Sequence, residues 1–416
     1  MKEIIDFLIK VNKLKEMPRT GLVTWKVKNP ATVADHTFRA VFSSWLLSQK
    51  KNLKIKRVLK IVLAHDLCEV YAGDLTPLFY YLKRSKRMMR WFRLSKTERE
   101  KRAKKKLKIE KESFLRLGKN LPPEIFREIF SFWSDFAYLI SKEARFVKQV
   151  DRIETLLESI EYIGIDERIT GKGWWEGTEE IVEDRLLLEF LKVIQKRFYG
   201  RVVGKYKKNR ELENILDFLL KIGKLERIPR LYWRAHGIKN PETVAGHIFS
   251  VALMGWILGK EKSELNMEKI LKMALCHELP AVYTGDTIPY IKKLPKDPKE
   301  RKKILKKWPR LPEDEKARRF LREYKEEKEA IFKLTANLEP DLKKEIVGLW
   351  EDYRTVSSLE ARFLNQINNL AVLLQGLLYQ KKYKGYFADP LWEWAFEKCD
   401  DPKILEFLQE LNKKFS

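Results

Sequence analysis

The feature that most constrains the fold of this chain is an internal duplication. Four segments of the first half return in the second half in the same order: residues 3–19 at 214–230, 27–36 at 238–247, 62–74 at 274–286, and 142–153 at 359–370. A repeated unit of about 200 residues is too long for a solenoid repeat. The sequence therefore predicts two tandem domains, 1–203 and 204–416, with a boundary in the glycine-containing basic segment near 200–210.

Apolar residues recur with helical rather than strand spacing along the chain. Ile4, Ile5, Leu8 and Val11 show the pattern in the first segment, and such spacing predicts an amphipathic helix. The same periodicity predicts helices at 36–50, 56–71, 97–117, 122–140 and 142–163, and from Asp184 to about Arg197. Alternating patterns are nearly absent, so the predicted fold is all-α, with two helical domains related by duplication.

The charge balance favours anionic partners. The formal net charge is +26, and such a field attracts nucleotides, nucleic acids or acidic surfaces. The excess is concentrated in 83–108, which has fourteen Lys or Arg against two Glu, and in 292–310, with ten against two acids. Two interpretations stay open for these segments: solvated helix faces with extended lysines, or a surface that contacts nucleic acid or steers an anionic substrate.

Cysteine usage and hydropathy point to a cytoplasmic protein. The three cysteines, Cys68, Cys276 and Cys399, are widely spaced, which suits a reducing compartment and offers no metal-binding pair. No uncharged apolar run reaches the roughly 18 residues that a membrane span needs. The N-terminal segment is expected to be an amphipathic helix rather than a signal peptide, so no membrane association is predicted.

The segment 60–77, KIVLAHDLCEVYAGDLTP, concentrates polar groups beside an apolar helical pattern. It holds His65, Asp66, Glu69 and Asp74 in a chain with only five histidines. We expect His65, Asp66 and Glu69 on one helix, with His65 and Glu69 on the same face. His36 and Asp151 lie in other predicted helices, and imidazole and carboxylate are ordinary ligands of divalent ions. From spacing alone, a metal site and a hydrogen-bonded buried cluster both remain open.

The motifs around these residues favour the metal site. PRTG at 18–21, NPATVADH at 29–36, HDLCEVYAGDLTP at 65–77 and EARFVKQVDRIE at 143–154 resemble the HD-domain metal-dependent phosphohydrolases, and among them the 5′-deoxynucleotidases. The resemblance covers most of 1–195 and repeats over 211–416. It implies that one divalent cation, cobalt or manganese with magnesium as the alternative, is bound by His36, His65, Asp66 and Asp151.

The resemblance also implies roles for three further residues. Glu69 and Asp74 would be the catalytic carboxylates, acting as acid and base or positioning water. Arg19 would contact the 5′-phosphate, because its planar fork matches phosphate geometry. Leu22 stands where the family often has an aromatic residue, and Trp25 could replace it, so base and sugar preference are left open.

The second half departs from the motif at several positions. His247 and His277 are kept, and so are Arg230 and Asp286, the counterparts of Arg19 and Asp74. However, Glu278 replaces Asp66 and Asn368 replaces Asp151. Ala281 replaces Glu69. Because an amide is a weak, neutral ligand, we expect a degenerate and inactive site, with a retuned metal site as the alternative.

The sequence thus predicts a metal-dependent hydrolase of nucleoside 5′-monophosphates, with deoxynucleotides favoured, acting at the first-half site. Two alternatives remain. One is an HD hydrolase of another phosphoester, such as a nucleoside triphosphate or cyclic nucleotide. The other is a nucleic-acid-binding or scaffold protein that uses its basic segments. The duplication further predicts a pseudo-dimer within one chain, hence a monomer or a low-order oligomer.

Overall fold

The computed structural model describes residues 1–75, 95–164, 173–200, 202, 204–287 and 312–416, together with 295, 297, 300, 303 and 304. The prediction of an all-α fold is confirmed: the described residues form helices, and extended pairing among them is limited to two isolated bridges, Pro18 with Thr32 and Pro229 with Thr243. Residues 83–94 of the first basic segment, including Trp91 and Phe92, and most of the second basic segment lie outside the described residues.

The first repeat carries ten described α-helices. They are α1 (Lys2–Val11), α2 (Thr20–Thr24), α3 (Val33–Ser48), α4 (Ile55–His65), α5 (Glu69–Ala72), α6 (Lys96–Gly118), α7 (Pro123–Tyr138), α8 (Lys142–Ile163), α9 (Gly173–Glu179) and α10 (Arg185–Tyr199).

The second repeat follows the same order within the described residues. Its helices are α11 (Arg210–Ile222), α12 (Leu231–Ala235), α13 (Val244–Gly259), α14 (Met267–Cys276), α15 (Ala281–Thr284), α16 (Glu313–Leu334), α17 (Pro340–Thr355), α18 (Leu359–Lys382), α19 (Asp389–Lys398) and α20 (Pro402–Phe415).

One predicted helix is wrong. The pattern over 56–71 predicts a continuous helix, but α4 ends at His65 and Asp66 has φ −104° and ψ 8°, outside the helical region. The chain then turns before α5 begins at Glu69. Apolar periodicity continues through the break because the residues on both sides are buried against the same core, so the pattern did not reveal it.

In each repeat, the central helix is buried along its whole length. Every residue of α3 and of α13 is buried, which is typical of a helix surrounded by others rather than one with a solvent face. Helix α3 packs against α4 and α8, and α4 also packs against α7. These helices form the bundle of the first repeat, and α13, α14, α17 and α18 form that of the second.

The two compact units of the structure do not coincide with the two repeats at their first helices. One unit comprises Lys10–Leu219, and the other comprises Met1–Ile9 with Leu220–Ser416. In the first of these units, the ring of Phe218 from α11 lies 5.9 Å from that of Phe42. In the other, Lys414 forms an ion pair with Asp6 of α1. The first helix of each repeat thus packs largely in the unit whose other helices come from the other repeat. The domain boundary at 203/204 stays a prediction that rests on the duplication of the sequence.

Candidate metal centre

Three helices of the first repeat bring the predicted ligand side chains together. His36 lies in the second turn of α3, His65 ends α4 and is followed by Asp66, and Asp151 lies in α8. Nε2 of His36 is 3.1 Å from Oδ1 of Asp151 and 3.8 Å from Oδ2 of Asp66. Nε2 of His65 is 3.0 Å from Oδ2 of Asp66 and 3.6 Å from Oδ1 of Asp151. Four groups from three segments that are distant in sequence therefore converge on one point.

The start of α3 is fixed by a capping box, which places His36. The hydroxyl of Thr32 accepts a hydrogen bond from the backbone N–H of Asp35, and the carboxylate of Asp35 accepts one from the N–H of Thr32. Reciprocal capping satisfies two of the donors that a helix start leaves unpaired.

Hydrogen bonds at the opposite nitrogens direct both imidazoles toward the cluster. Nδ1 of His65 donates to the carbonyl oxygen of Val62 at 2.5 Å, and Nδ1 of His36 bonds to the carboxylate of Glu154. In the neutral form of each imidazole, Nε2 is then the atom with a lone pair, which is the arrangement that metal-binding histidines adopt. Nε2 of His65 is buried and has no hydrogen-bond partner among the described residues. The donor set therefore fits a divalent cation.

The electrostatics of the cluster agree with that fit. Burial alone would lower the pKa of His65, but Asp66 and Asp151 outweigh burial and raise the pKa to about 9. Burial likewise opposes the charged form of Asp66, yet the neighbouring imidazoles hold the pKa of its carboxyl well below the usual value. The same negative potential that favours a proton on the imidazole favours a bound cation.

Arg19 lies beside this cluster, in a turn that is fixed by a backbone hydrogen bond. Its backbone N–H donates to the carbonyl oxygen of Ala31 at 2.9 Å, next to the bridge between Pro18 and Thr32. The guanidinium is buried; its Nε lies 3.4 Å from Oε2 of Glu158, and its Nη1 lies 3.6 Å from Oδ1 of Asp74. It therefore presents a fixed positive charge at the edge of the cluster.

Glu69 and Asp74 occupy different environments. Oδ2 of Asp74 accepts a hydrogen bond from the backbone N–H of Thr20 at 2.7 Å, so this carboxylate ties the turn that carries Arg19. Glu69 is buried, and its Oε2 has no hydrogen-bond partner among the described residues. Burial, followed by the charges of Asp66 and Asp74, raises the pKa of Glu69 well above its usual value.

Three further cations surround the acidic cluster. Nζ of Lys148 lies 3.7 Å from Oδ2 of Asp151, and Arg152 follows Asp151 directly in α8. Burial lowers the pKa of Lys106, but Glu110 and Glu69 outweigh burial, so its ammonium remains charged. Together with Arg19 they provide a positive rim around the converging carboxylates.

Sequence reasoning missed a buried network behind His36. The carboxylate of Glu154 bonds to His36 at one oxygen and accepts from Nε of Arg39 at 2.9 Å at the other, and Arg39 also pairs with Glu161. Together with Asp151 and Glu158, these acids occur at helical spacing along one buried face of α8. Carboxylates at that spacing on a buried face are a signal that could have identified the network.

The second repeat arranges its counterpart residues differently. Nη1 of Arg230 lies 2.7 Å from Oε1 of Glu278, whereas the corresponding atoms of Arg19 and Asp66 are 3.9 Å apart. The additional methylene of Glu278 brings its carboxylate to the arginine. Nε2 of His247 lies 2.7 Å from Oδ1 of Asn368. This contact is the counterpart of that between His36 and Asp151, with a neutral amide oxygen, a weaker metal ligand, in place of the carboxylate.

The pKa shifts of the corresponding histidines also differ between the two repeats. Burial is the dominant influence on His277 and lowers the pKa of this imidazole, whereas the pKa of His65 is raised. His247, His277 and Glu278 still lie within 4.8 Å of one another at their ligand atoms. The histidines thus remain in place, but the second cluster has lost the negative potential of the first.

The buried network is absent from the second repeat. At the offset that aligns Asp151 with Asn368, residues Glu154, Glu158 and Glu161 correspond to Ala371, Gln375 and Leu378. At the offset that aligns His36 with His247, Arg39 corresponds to Ser250. The acidic ligands and the groups that support them have therefore been replaced together.

Comparisons with known proteins agree with this geometry. A family model described as HD domain matches residues 11–170 and again residues 222–398. Human 5′-deoxynucleotidase HDDC2 is 28% identical over 204 residues, covering 49% of this chain and 87% of that protein. The Bos taurus protein of the same name is 30% identical over 204 residues, covering 49% of this chain and 86% of that protein.

Among solved structures, a conserved hypothetical protein from Pyrococcus furiosus has 23% sequence identity and a TM-score of 0.35, covering 48% of this chain and 99% of that one. Separately, none of the described helices is both long and apolar enough to cross a membrane. Since the family model matches most of the chain in two consecutive copies, the protein belongs to the HD-domain family.

Proposed function

We propose that the first repeat, residues 1–203, is a metal-dependent phosphohydrolase that removes the phosphate from nucleoside 5′-monophosphates, with deoxynucleotides as the favoured substrates. The observation that carries this proposal is the convergence of His36, His65, Asp66 and Asp151 beside the buried guanidinium of Arg19. The named activity of the human and bovine relatives, 5′-deoxynucleotidase, supports the substrate class.

His36, His65, Asp66 and Asp151 would hold one divalent cation, with cobalt or manganese favoured and magnesium as the alternative. When bound at such a site, a divalent cation polarises a phosphoryl oxygen and lowers the pKa of a coordinated water. Glu154 keeps Nδ1 of His36 occupied and so directs Nε2 toward the ligand position. The carbonyl of Val62 does the same for His65.

Arg19 would bind the phosphate of the substrate. Its guanidinium remains charged: burial opposes this charge, but Asp74 and Glu158 outweigh burial and keep the pKa of Arg19 well above the usual value. A guanidinium offers two parallel donors to phosphate oxygens. Asp74 holds the turn that carries Arg19 through the N–H of Thr20, so we assign Asp74 a positioning role.

Glu69 would supply the proton for the leaving group. Its buried carboxyl lies beside Asp66 and Asp74, and burial together with these two charges raises the pKa of Glu69 well above its usual value, which favours the protonated form. A protonated carboxyl next to the scissile bond can transfer that proton to the departing 5′-oxygen, which leaves as the hydroxyl of the nucleoside. Lys106 and Lys148, at the rim of the cluster, would attract the anionic substrate.

The second repeat, residues 204–416, would be catalytically inactive. Its acidic ligands are reduced to Glu278, which is paired with Arg230, and the position of Glu69 is occupied by Ala281. A panel of nucleoside 5′-monophosphates, assayed for phosphate release with Co²⁺ or Mn²⁺, tests the assignment. Asp66→Ala should abolish release and Glu278→Ala should not; release from triphosphates or cyclic nucleotides alone would instead favour the other phosphoester reaction.

A further inference from the structure

A pocket of about 500 Å³ opens in the second repeat at the position that the duplication assigns to the first-half site. Its lining includes Arg230, His277, Glu278, Asp286 and Asn368, the counterparts of Arg19, His65, Asp66, Asp74 and Asp151. Pockets of this volume are typical of small-molecule sites. Although the residues for catalysis have been replaced, space for a ligand has been kept.

The arginines of this pocket are paired with carboxylates. Each arginine in the lining has a carboxylate partner: Arg230 pairs with Glu278 and Asp286, Arg319 with Glu323, Arg354 with Glu327, and Arg362 with Asp400. Including Lys398, five basic and five acidic side chains line the pocket. The formal charge is balanced, so this pocket does not favour a phosphate dianion.

The rim cations of the first repeat have also been replaced. The aligned segments 142–153 and 359–370 place Asn365 and Asn369 at the positions of Lys148 and Arg152. At the same offset, Glu323 occupies the position of Lys106. Three positive charges have thus become two neutral amides and one carboxylate, and the retained arginine, Arg230, is paired with Glu278.

Uncharged hydrogen-bonding groups remain. Nδ1 of His277 donates to the carbonyl oxygen of Ala274 at 2.6 Å, so Nε2 presents a lone pair. This atom is buried and has no hydrogen-bond partner among the described residues. A buried acceptor without a partner is costly unless a ligand donates to it.

The rest of the lining offers amides and aromatic surface. Asn365, Asn368 and Asn369 lie at helical spacing on one face of α18, and their side chains provide donors and acceptors. Tyr353 and Trp394 also line the pocket, and aromatic rings are suited to contact a flat heterocycle.

We propose that this pocket binds an uncharged nucleoside, without a phosphate and without a metal ion. A hydroxyl or amino hydrogen of the nucleoside would donate to Nε2 of His277, and the amides of Asn368 and Asn369 would bond to the remaining polar edge. The choice of a nucleoside over another neutral polar molecule rests on the proposed function of the first repeat, since this pocket is the counterpart of that site. The second repeat would then bind the class of molecule that the first repeat releases.

Calorimetric titration of the full chain carrying Arg19→Ala, which removes the phosphate-binding group proposed for the first repeat, tests this inference in buffer containing EDTA. The ligands are deoxynucleosides and ribonucleosides, each compared with its 5′-monophosphate. We expect at least one nucleoside to bind with a stoichiometry of one and its monophosphate to bind no more tightly. No binding of any nucleoside, or tighter binding of the monophosphates, would overturn the inference.

Matched variants identify which repeat binds. His277→Phe removes the buried acceptor, and Asn369→Ala removes a half-buried amide. Both changes should weaken nucleoside binding at least tenfold. His65→Phe, the same change in the first repeat, should leave it unchanged. Binding that survives both changes in the second repeat and is lost with His65→Phe would place the ligand in the first site and overturn the inference.

A gain of phosphate preference provides an independent check. Asn365→Lys combined with Asn369→Arg restores two cations of the first repeat and should shift the preference toward the 5′-monophosphate at least tenfold. An unchanged preference would overturn the charge argument. None of these readouts depends on phosphate release, so failure of the proposed catalytic function would be recognised separately, as absent hydrolysis in a chain that still binds nucleoside.

Discussion

The imidazole of His36 is held at both nitrogens, with Nδ1 bonded to the buried carboxylate of Glu154 and Nε2 at 3.1 Å from Asp151. Glu154 is itself held by Nε of Arg39 at 2.9 Å. The orientation of the ligand imidazole thus depends on a buried acid that lies outside the HD motif. The second repeat, with Ala371 and Ser250 at these two positions, lacks this support.

Glu154→Gln should weaken metal binding without unfolding the protein. The amide keeps the shape of the side chain but removes the charge that orients His36, and loss of such a partner typically costs about 10–100-fold in metal affinity. Titration of Mn²⁺ or Co²⁺ into metal-stripped protein measures the change. Glu189→Gln is a suitable control because it removes an exposed carboxylate of the same unit; equal affinities in the two variants would contradict the positioning role.

The chain should bind one divalent ion at high affinity rather than two. Glu278 is paired with Arg230, and the neutral amide of Asn368 stands in place of the carboxylate of Asp151 beside His247. Elemental analysis of protein dialysed against Mn²⁺ or Co²⁺ should give one ion per chain, and none after Asp66→Ala. Two ions per chain, with one lost on Glu278→Ala, would show a working second metal site.

Arg19→Ala should mainly raise KM for nucleoside monophosphates. The guanidinium is the buried cation closest to the ligand cluster, and Arg19→Lys should recover only part of the loss because an ammonium lacks the paired donors of the fork. Steady-state kinetics on both variants measure the split between KM and kcat. Arg230→Ala is the matched control in the second repeat; an unchanged KM in Arg19→Ala would remove the phosphate-binding role.

The fragment 10–219 should be more stable than the fragment 1–203. Phe218 and Leu219 are buried in the unit formed by Lys10–Leu219, and each such side chain contributes about 1.5–3 kcal/mol when buried. Denaturant unfolding of both fragments measures the difference in the free energy of unfolding. Equal midpoints and slopes would show that helix α11 does not contribute to that core.

Much of the fold could be predicted from sequence, because its main signals are local. The repeat, the all-α class and the helix at 142–163 follow from collinear matches and apolar periodicity, and α8 begins and ends at the predicted residues. The break after His65 could not be predicted, since burial on both sides continues the apolar pattern. The exchange of the first helices depends on packing between segments about 200 residues apart, which periodicity does not encode.

The candidate site could likewise be predicted only in part. The motifs named the residues that converge at the cluster, because each motif is contiguous in the chain. Glu154 and Arg39 were missed because their roles depend on which faces of α3 and α8 meet. The ion pair between Glu278 and Arg230 likewise depends on the additional methylene of the glutamate side chain. The sequence alone shows the substitution but not the ion pair.

The most direct test of the account is phosphate release from a panel of deoxynucleoside 5′-monophosphates by metal-stripped protein resupplied with Co²⁺ or Mn²⁺. The account predicts release that requires the metal, is abolished by Asp66→Ala, and is unaffected by Glu278→Ala. Absence of release with either metal, or release that survives Asp66→Ala, would contradict it. Salt-sensitive binding to single-stranded nucleic acid in a chain without release would favour the nucleic-acid-binding alternative instead.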